Sequence, residues 1–570
     1  MSNIWGAFRF MVAGTNKVHI IWFGVILLVM LILAVLHHRW KHYEKEMKLW
    51  KKLCLIPLGI TAVHYFIYVS GDDSFLQCYT SIYLTAILAL LPMLCADMKK
   101  GYRVTAAIVG VISAVFFLVF STSAINPHNF ARKSYTKSFH ALVKELDRSY
   151  VLKEWKEMDF FALEEKYMPQ VSEAEQEKDP AKFADAVDMF CMELHDGHVS
   201  VHCHYDHDKY QSAFLMRDYG LSMVKLDSGE VIAVCTDKSV NELGIEDGTF
   251  ITKWDGENVL QAAEGMDCGQ PVKENDEREA LLELSGKGGE TVKVTFLDKN
   301  GREQTAELHA HDDEHTYDDA FNAFMHCPES LGELVNSNFS TKMLDDKCGY
   351  LVLSVETTGG SIHDNICFNK GECKWARKMF REKLSRLKEQ GMEYLVIDMR
   401  NNMGGCGAVG YELCALLGSE DIYATGLGVR KNGEYKRLTT QTIHCTGEFA
   451  DLKVVVLTNG GCISAGDSTA QCLSKLSNVT LAGITNPSGS GQITGGCCVL
   501  SEGIVSVNYP VGLMLNENDE PDIDTRADRI SRNPVEVRIP LDYDAAMSIF
   551  RDKEDYELSW AVNYLEENDK

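Results

Sequence analysis

The hydrophobic positions divide the chain into two unlike parts. The first 125 residues contain four long apolar runs, whereas later residues alternate apolar and polar positions with the periods of helices and strands. A transmembrane helix needs about 20 predominantly apolar residues, and the four runs have suitable lengths. We therefore predict an N-terminal four-helix transmembrane region over residues 1–125, with helices at about 18–36, 53–69, 75–96 and 104–125.

Charge follows the same division. Residues 1–125 carry 11 Lys and Arg against 5 Asp and Glu, whereas the remainder carries 45 against 77. The loops 37–52 and 97–103 are basic and the loop 70–74 is not, which favours a cytoplasmic position for both basic loops. The pattern thus predicts a multi-pass protein of the cell membrane with an extracytoplasmic soluble domain. The acidity of that domain argues against a nucleic-acid partner.

The 18 cysteines do not indicate a disulfide framework. Three lie in the apolar runs, which leaves an odd number on a long chain, and no CxxC pairs show the spacing of a zinc ribbon. We expect most of them to be small buried apolar residues. No cofactor is predicted.

Residues 126–208 show helical spacing and end in a cluster of histidines. The helix predicted over 180–194 leads into Asp196-Gly197-His198 and then into an alternating strand, so that His198 lies at an element boundary where functional side chains are often presented. A metal site built on the cluster 195–207 is a weaker interpretation, because no carboxylate or thiol partner has a fixed spacing to it. No metal ligand is assigned.

Residues 209–312 have the pattern of a small β domain. Tyr219-Gly220-Leu221 opens a strand, a Gly-Ile-x-x-Gly turn follows at 244–248, and Asn300-Gly301 marks a hairpin. This order resembles a PDZ domain, a module that binds peptide termini by adding a strand to its edge. The resemblance implies peptide-binding residues at Tyr219, Gly220 and Leu221. The alternative is a packing module that regulates access without binding a peptide.

After a linker at 313–346, the pattern becomes α/β over 347–545, and an acidic helix closes the chain at 546–570. A buried strand at 394–400 ends in a turn with Gly404-Gly405, and another at 454–457 leads through a turn to Ser464 and a helix. A helix N-terminus stabilises negative charge, which suits a nucleophile. An N-capping serine is the alternative. A later strand at 504–507 is predicted to stop at Asn508-Tyr509-Pro510.

These motifs together resemble the tail-specific (C-terminal processing) protease family, which includes the tricorn core protease. The similar segments are Leu-x-Asp-Gly-His at 194–198, Ile-Asp-x-Arg-Asn-Asn-x-Gly-Gly at 397–405 and Ser-Ala-Gly-Asp at 464–467. The resemblance spans roughly 190–545. It implies a multi-domain fold in which an α/β (ClpP/crotonase-like) protease core, with a PDZ-like β insert, follows the transmembrane region.

The family has two catalytic styles, and the residues present agree with one of them. In the first, a lysine of a Gly-Lys-Gly turn activates the serine, but that turn reads Gly489-Ser490-Gly491 here, and Lys475 points elsewhere by helical spacing. In the tricorn style, a histidine is the base and a late acid supports it. The resemblance therefore implies the catalytic residues Ser464, His198 and Asp524, although the family usually has Glu at the last position.

The same resemblance implies the oxyanion hole and the function. The N–H of Ala465 and one from Gly404 or Gly405 would bind the oxyanion, whereas Asp196 is expected to cap its turn. The predicted protein is a membrane-anchored serine endopeptidase that hydrolyses peptide bonds of protein or peptide substrates outside the cytoplasm. The alternative is a non-catalytic peptide-binding or sensor protein on the same fold. Asp524, where the family usually has Glu, agrees with this alternative.

Overall fold

The computed structural model describes residues 17–57, 59–60, 104, 108, 128–206, 209–210, 212, 217–311, 316–327, 330–357 and 373–567. The N-terminal part is a helical hairpin of α1 (Lys17–Trp40) and α2 (Glu44–Leu53). The indole N–H of Trp50 donates to the carbonyl of Leu33 at 2.7 Å, and both side chains pack with Cys54. The fifteen cysteines among the described residues are all free thiols.

The predicted transmembrane region is wrong in this structure. Among the described residues, no helix has both the length and the apolar character that crossing a membrane requires. α2 has 10 residues and is therefore only about 15 Å long, half the thickness of a bilayer core. The segments predicted at 53–69, 75–96 and 104–125 lie almost wholly outside the described residues.

A helical layer precedes the catalytic core, as the sequence pattern predicts. Pro180 begins α5 at the position that best tolerates proline, and the Asp179 carboxylate caps the helix by accepting two backbone N–H groups. The apolar faces of α3 to α5 pack against the second large sheet of the molecule. The elements of this layer are β1 (His128–Asn129), α3 (Tyr135–Ser149), α4 (Phe160–Glu177), α5 (Pro180–Met192) and β2 (Ser200–Cys203).

The insert forms two small sheets with a helix between them. One sheet pairs β3 with β4, and the other has the order β6-β5-β7-β8. Tyr219, Leu221 and Trp254 belong to its apolar core. The elements are β3 (Ser222–Lys225), β4 (Val231–Val234), α6 (Lys238–Asn241), β5 (Ile251–Trp254), β6 (Glu257–Asn258), α7 (Val259–Glu264), α8 (Lys273–Ser285), β7 (Thr291–Leu297) and β8 (Glu303–His309). Two helices, α9 (Thr316–Met325) and α10 (Leu331–Ser337), lead back to the core.

The core contains the predicted α/β layer, a sheet of order β18-β15-β14-β11-β10-β9 in which only β9 is antiparallel to its neighbour. Its central strands are apolar and buried on both faces, as parallel strands are. The elements in chain order are β9 (Thr341–Met343), β10 (Cys348–Val352), α11 (Lys374–Glu389), β11 (Tyr394–Asp398), α12 (Gly407–Leu417), β12 (Ile422–Lys431), β13 (Glu434–Ile443), β14 (Lys453–Leu457), α13 (Ala465–Ser474), β15 (Val479–Gly483), β16 (Ile493–Val499), β17 (Val505–Leu515), β18 (Val537–Arg538), α14 (Tyr543–Ala546) and α15 (Tyr556–Glu567).

The second large sheet has the order β1-β16-β17-β12-β13, and β2 also pairs with β17. The prediction that the strand after residue 504 stops at Pro510 is wrong, because β17 continues to Leu515. Pro510 pairs with Thr494 at an irregularity of the ladder, where a missing N–H costs no regular hydrogen bond. Through β2, this sheet fixes the chain that leads away from His198.

Candidate active site

Three loops meet at the carboxyl edge of the parallel sheet. The loop after β11 carries Gly404 and Gly405, the loop after β14 carries Ser464, and the loop after β15 carries Ser490. Because β11, β14 and β15 are adjacent and parallel, their carboxyl ends lie side by side. The turn before β2 brings His198 to the same place. The fold therefore assembles residues that are far apart in the sequence.

Ser464 lies on a strained turn between β14 and α13. Its backbone has φ 63° and ψ −127°, a conformation that costs a non-glycine residue free energy and is often found at active sites. Its N–H donates to the carbonyl of Ser490 at 2.9 Å. The side chain is half-buried and does not cap α13, and among the described residues no partner hydrogen-bonds its Oγ. The hydroxyl is thus presented at the helix N-terminus without another role.

His198 is held by its turn and by Ser490. The Asp196 carboxylate accepts the backbone N–H of His198 at 2.9 Å, which is the capping role predicted for it. The His198 Nδ1 lies 2.8 Å from the Ser490 Oγ. Burial lowers the pKa of His198, and the nearby charge of Asp196 and a hydrogen bond to Gln492 oppose that effect in part. The imidazole is accordingly neutral near pH 7, as a general base must be.

The hydrogen bonds of Ser490 determine which nitrogen of His198 is basic. The Ser490 hydroxyl donates to Gln492 Oε1 at 2.7 Å, with the Asp196 carboxylate as a second acceptor at 3.4 Å. Both are acceptors, so the hydroxyl oxygen must receive a proton from His198 Nδ1. The lone pair of the neutral ring is then on Nε2. This is the tautomer that a serine nucleophile requires.

Ser490 also connects His198 to Ser464. Its side chain contacts His198, and its carbonyl accepts the N–H of Ser464. Within the described part of the chain no direct hydrogen bond joins Ser464 Oγ to His198; such bonds are often long before substrate binds. The turn is fixed from below by the buried Asp467 carboxylate, which accepts the N–H groups of Gly489 (2.6 Å) and Ser490 (3.2 Å).

The loop that carries Gly404 and Gly405, where the oxyanion donors are predicted, is called the oxyanion loop below. It approaches Ser464 closely. A Cβ on Gly404 would lie 2.7 Å from the Ser464 Cβ, and Gly404 and Gly405 have φ of 75° and 127°, so glycine is required at both positions. The Gly404 N–H donates to the Asn402 side chain at 2.8 Å and is therefore occupied. Among the described residues, the N–H groups of Gly405 and Ala465 have no hydrogen-bond partner. Of the two glycines predicted as alternatives, Gly405 has the available donor.

Asp524 lies behind this arrangement and does not contact His198. Its Oδ1 accepts the N–H of Gly491 at 2.9 Å, and its Oδ2 has no partner among the described residues. Burial raises the pKa of Asp524 to about 8, which keeps the carboxyl largely neutral at pH 7. The Lys156 ammonium, also buried, donates to the carbonyl of His195 and to Thr525 Oγ1. Asp524 thus supports the turn that carries Ser490. Lys156 joins the segment of His195 to the segment of Asp524 and Thr525.

Two other sets of predicted or considered residues lie away from the site. The side chains of Tyr219 and Leu221 are buried in the insert, and the Gly220 N–H donates to the Asp218 carboxylate at 2.7 Å. Lys475 donates to the carbonyl of Tyr423 and points away from Ser464.

The histidine cluster does not form a metal site in the described residues. His202 bonds Ser200 and His204 bonds Ser506, whereas His198 faces Ser490. Within the described ranges, one grouping has ligand atoms close enough for a metal: His326, Asp398 and Asp555. The guanidinium of Arg400 already pairs with both of its carboxylates, at 2.6 and 2.8 Å. The positive charge of Arg400 therefore already balances the two carboxylates.

The functional residues that sequence reasoning missed are those that hold the base. Ser490 had a signal, because it replaces the lysine of a Gly-Lys-Gly turn. Asp467 had a signal too, as the last residue of the Ser-Ala-Gly-Asp motif, whereas Gln492 and Lys156 had none, since their roles arise only from contacts between distant segments.

Comparisons with known proteins agree with this geometry. Residues 367–526 match the model of peptidase family S41, a segment that contains Gly404, Gly405, Ser464, Ser490 and Asp524. The protein is a serine-type peptidase. The insert and His198 lie outside the matched segment. No curated protein matches the chain.

Solved structures show the same fold. The structure of mature CPAF complexed with lactacystin is 14% identical, with a TM-score of 0.50, and the alignment covers 76% of this chain and 97% of that chain. Mature CPAF alone is 15% identical, with a TM-score of 0.50 and coverage of 77% and 98%. The photosystem II D1 C-terminal processing protease is a weaker match: 17% identity, a TM-score of 0.32, and coverage of 74% and 99%. The segment matched by the family model lies within the region of the resemblance inferred from the motifs.

Proposed function

We propose that the protein is an endopeptidase in which Ser464 is the nucleophile and His198 the general base, acting on peptide bonds of protein or peptide substrates. The observation that carries the proposal is the 2.8 Å hydrogen bond between His198 Nδ1 and Ser490 Oγ, from which we infer that Ser490 receives the Nδ1 proton and that Nε2 is left basic. On the neighbouring loops, the Ser464 hydroxyl and the N–H groups of Gly405 and Ala465 have no hydrogen-bond partner among the described residues.

The residues suffice for both halves of hydrolysis. Ser464 Oγ attacks the carbonyl carbon while His198 Nε2 takes its proton, and the carbonyl oxygen becomes an oxyanion near the N–H groups of Gly405 and Ala465. The carbon–nitrogen bond then breaks, and His198 gives the proton to the leaving amine. Water attacks the acyl-enzyme with His198 again as base, which releases the acid and restores Ser464.

Activity can be tested without knowledge of the natural substrate. The full chain is assayed with a library of quenched fluorescent peptides and with a fluorophosphonate probe that labels activated serines. Ser464→Ala and His198→Ala should each lower kcat by about 10⁴-fold or more, because either change removes a group that forms or breaks bonds. Ser474→Ala, at the other end of α13, is the matched control and should cleave and be labelled like wild type.

Cleavage that survives Ser464→Ala would contradict the assignment of the nucleophile. A well-folded wild-type protein that neither cleaves nor becomes labelled would favour the non-catalytic peptide-binding alternative. Loss of cleavage with chelator alone would instead favour a metalloenzyme.

We further propose that the peptidase acts outside the cytoplasm, the location expected from the sequence. The hairpin between β12 and β13 offers a test because Asn432 and Gly433 at its tip are exposed. A recognition sequence for a site-specific protease is inserted between them. Cutting by protease added to intact cells is expected. Cutting only after lysis would place the domain in the cytoplasm.

A further inference from the structure

Helix α9 ends directly on the catalytic loops. The carbonyl of Met325, its last residue, accepts the side-chain N–H groups of Asn401 at 2.8 Å and of Asn459 at 2.7 Å. Asn401 lies on the loop that leads to Gly405, and Asn459 on the loop that leads to Ser464. One carbonyl is therefore shared by the oxyanion loop and the nucleophile loop.

The two asparagines also bond each other. The Asn459 Oδ1 accepts the N–H of Asn401 at 2.9 Å and that of Gly461 at 3.1 Å. Asn401 has φ 55°, a conformation that asparagine tolerates better than most residues. These bonds fix the separation of the two loops, and so the distance between the nucleophile and the oxyanion donors. Substrate hydrolysis depends on that distance.

The other end of α9 is anchored in the insert. The N–H and the hydroxyl of Thr316 donate to the Asp218 carboxylate at 2.8 and 2.6 Å, and its carbonyl accepts from Ser222 Oγ at 3.3 Å. The Tyr317 hydroxyl donates to Glu283 of α8 at 2.6 Å.

Apolar packing completes this anchor. Ala320 and Phe324 of α9 join one buried cluster with Val224 of β3 and Leu282 of α8. The helix thus packs against both β3 and α8.

We propose that α9 is a strut through which the insert holds the catalytic loops in register, with Asn401 and Asn459 as positioning residues. The inference rests on the proposed function of Ser464. A helix is stiff along its axis, and here each end is held by several hydrogen bonds. A change in how α9 sits on the insert is therefore transmitted to the separation of the two loops.

The test removes side-chain hydrogen bonds at each end of α9. Asn401→Gly removes the side chain and keeps the positive φ accessible; Asn432→Gly, at an exposed hairpin turn with φ 55°, is its control. Thr316→Val removes the hydroxyl bond to Asp218. Thr305→Val is its control, since Thr305 bonds Thr295 within the insert at 3.0 Å and does not contact α9.

We expect Asn401→Gly and Thr316→Val to lower kcat by about tenfold each and to change KM less than twofold, because each removes side-chain hydrogen bonds that position α9. The double variant should lose less than the product of the two effects, since both act through one element. The two controls should match wild type. Independent effects that multiply, or a Thr316→Val variant with wild-type kcat, would overturn the proposal.

Amide hydrogen exchange separates this proposal from the proposed function. In Thr316→Val, but not in Thr305→Val, exchange should accelerate at residues 401–405 and 460–465, whether or not any peptide is cleaved. Unchanged exchange in both loops would refute the strut even if the enzyme is active. Faster exchange in a chain that cleaves nothing would refute only the peptidase chemistry.

Discussion

The two halves of the active site are held by different chemistry. On the oxyanion side, neutral carboxamides of Asn401, Asn402 and Asn459 make the contacts, and the acids behind them are paired with Arg400. On the histidine side, buried acids hold the turns, and none of them forms an ion pair within the described residues. The oxyanion side also has one buried acid without an ion pair among the described residues, Glu356, whose pKa burial raises well above its ordinary value, so the contrast in pH response applies to the acids that pair with Arg400.

The pKa directions express the same contrast. Burial alone would raise the pKa of Asp555, but its hydrogen bonds and ion pair with Arg400 lower that pKa to about 2. On the other side, burial raises the pKa of Asp467 to about 6 and that of Asp524 to about 8. An acid with a guanidinium partner stays charged inside the protein, whereas for Asp467 and Asp524 the effect of burial outweighs the backbone N–H groups that favour the charged form, and the pKa is raised.

Among the substitutions that test this contrast, Ser490→Ala should have the largest effect on kcat. The substitution removes the acceptor of the His198 Nδ1 proton, so that the ring can rotate or change tautomer. We expect kcat to fall by about 10²-fold, with the fold retained, as measured by peptide cleavage and thermal unfolding.

Ser488→Ala is the control for that experiment, because Ser488 is buried in the same loop but makes no hydrogen bond to His198 among the described residues. Its kcat should stay within about twofold of wild type, the scale of minor packing changes. Full activity in Ser490→Ala, together with inactivity of Asp524→Asn, would contradict the role of Ser490. Asp524 would then be the residue that supports His198, as predicted from the sequence.

The residues that could be predicted from the sequence are those whose surroundings are local. Ser464 follows a strand and precedes a helix, Gly405 needs a positive φ, and His198 follows a turn capped by Asp196. Ser490 meets His198 across 292 positions of the chain, which no local pattern encodes. Asp524 was found as an acid near the expected position, but only the fold shows that its carboxylate turns to Gly491. The apolar runs of the first 125 residues predicted a membrane region that the described helices do not support.

A second prediction concerns the buried charge of Asp524. Between about pH 4 and pH 8 the unfolded chain loses this proton while the folded chain keeps it, because the folded pKa is raised to about 8. The contribution of Asp524 to the free energy of unfolding therefore decreases as pH rises through that window. Asp524→Asn imitates the neutral acid, so its stability, measured by urea unfolding, should decline less than that of wild type toward pH 8.

Asp528→Asn is the control, since Asp528 is exposed on the same loop. It should follow the wild-type curve. At pH 7 the Asp524→Asn enzyme should also keep kcat within about threefold of wild type, since the residue is already largely neutral and bonds Gly491 rather than the base. A parallel decline in wild type and Asp524→Asn would show that the carboxyl is ionised in the folded protein.

The smallest effect should be the position of the acid limb of activity. Burial lowers the pKa of His198 below the ordinary value of about 6.5, and the ring must be neutral to accept the proton of Ser464. The midpoint of the acid limb of kcat/KM should thus lie below pH 6.5, and it should move little between low and high salt, because the opposing charge of Asp196 is buried and poorly screened. The measurement is a pH–rate profile at two ionic strengths, beside an NMR titration of His198. A midpoint above pH 6.5 would mean that the charge of Asp196 outweighs the burial of the ring. The folded protein would then favour the protonated imidazole, and the negative charge of Asp196, rather than burial, would dominate the histidine side.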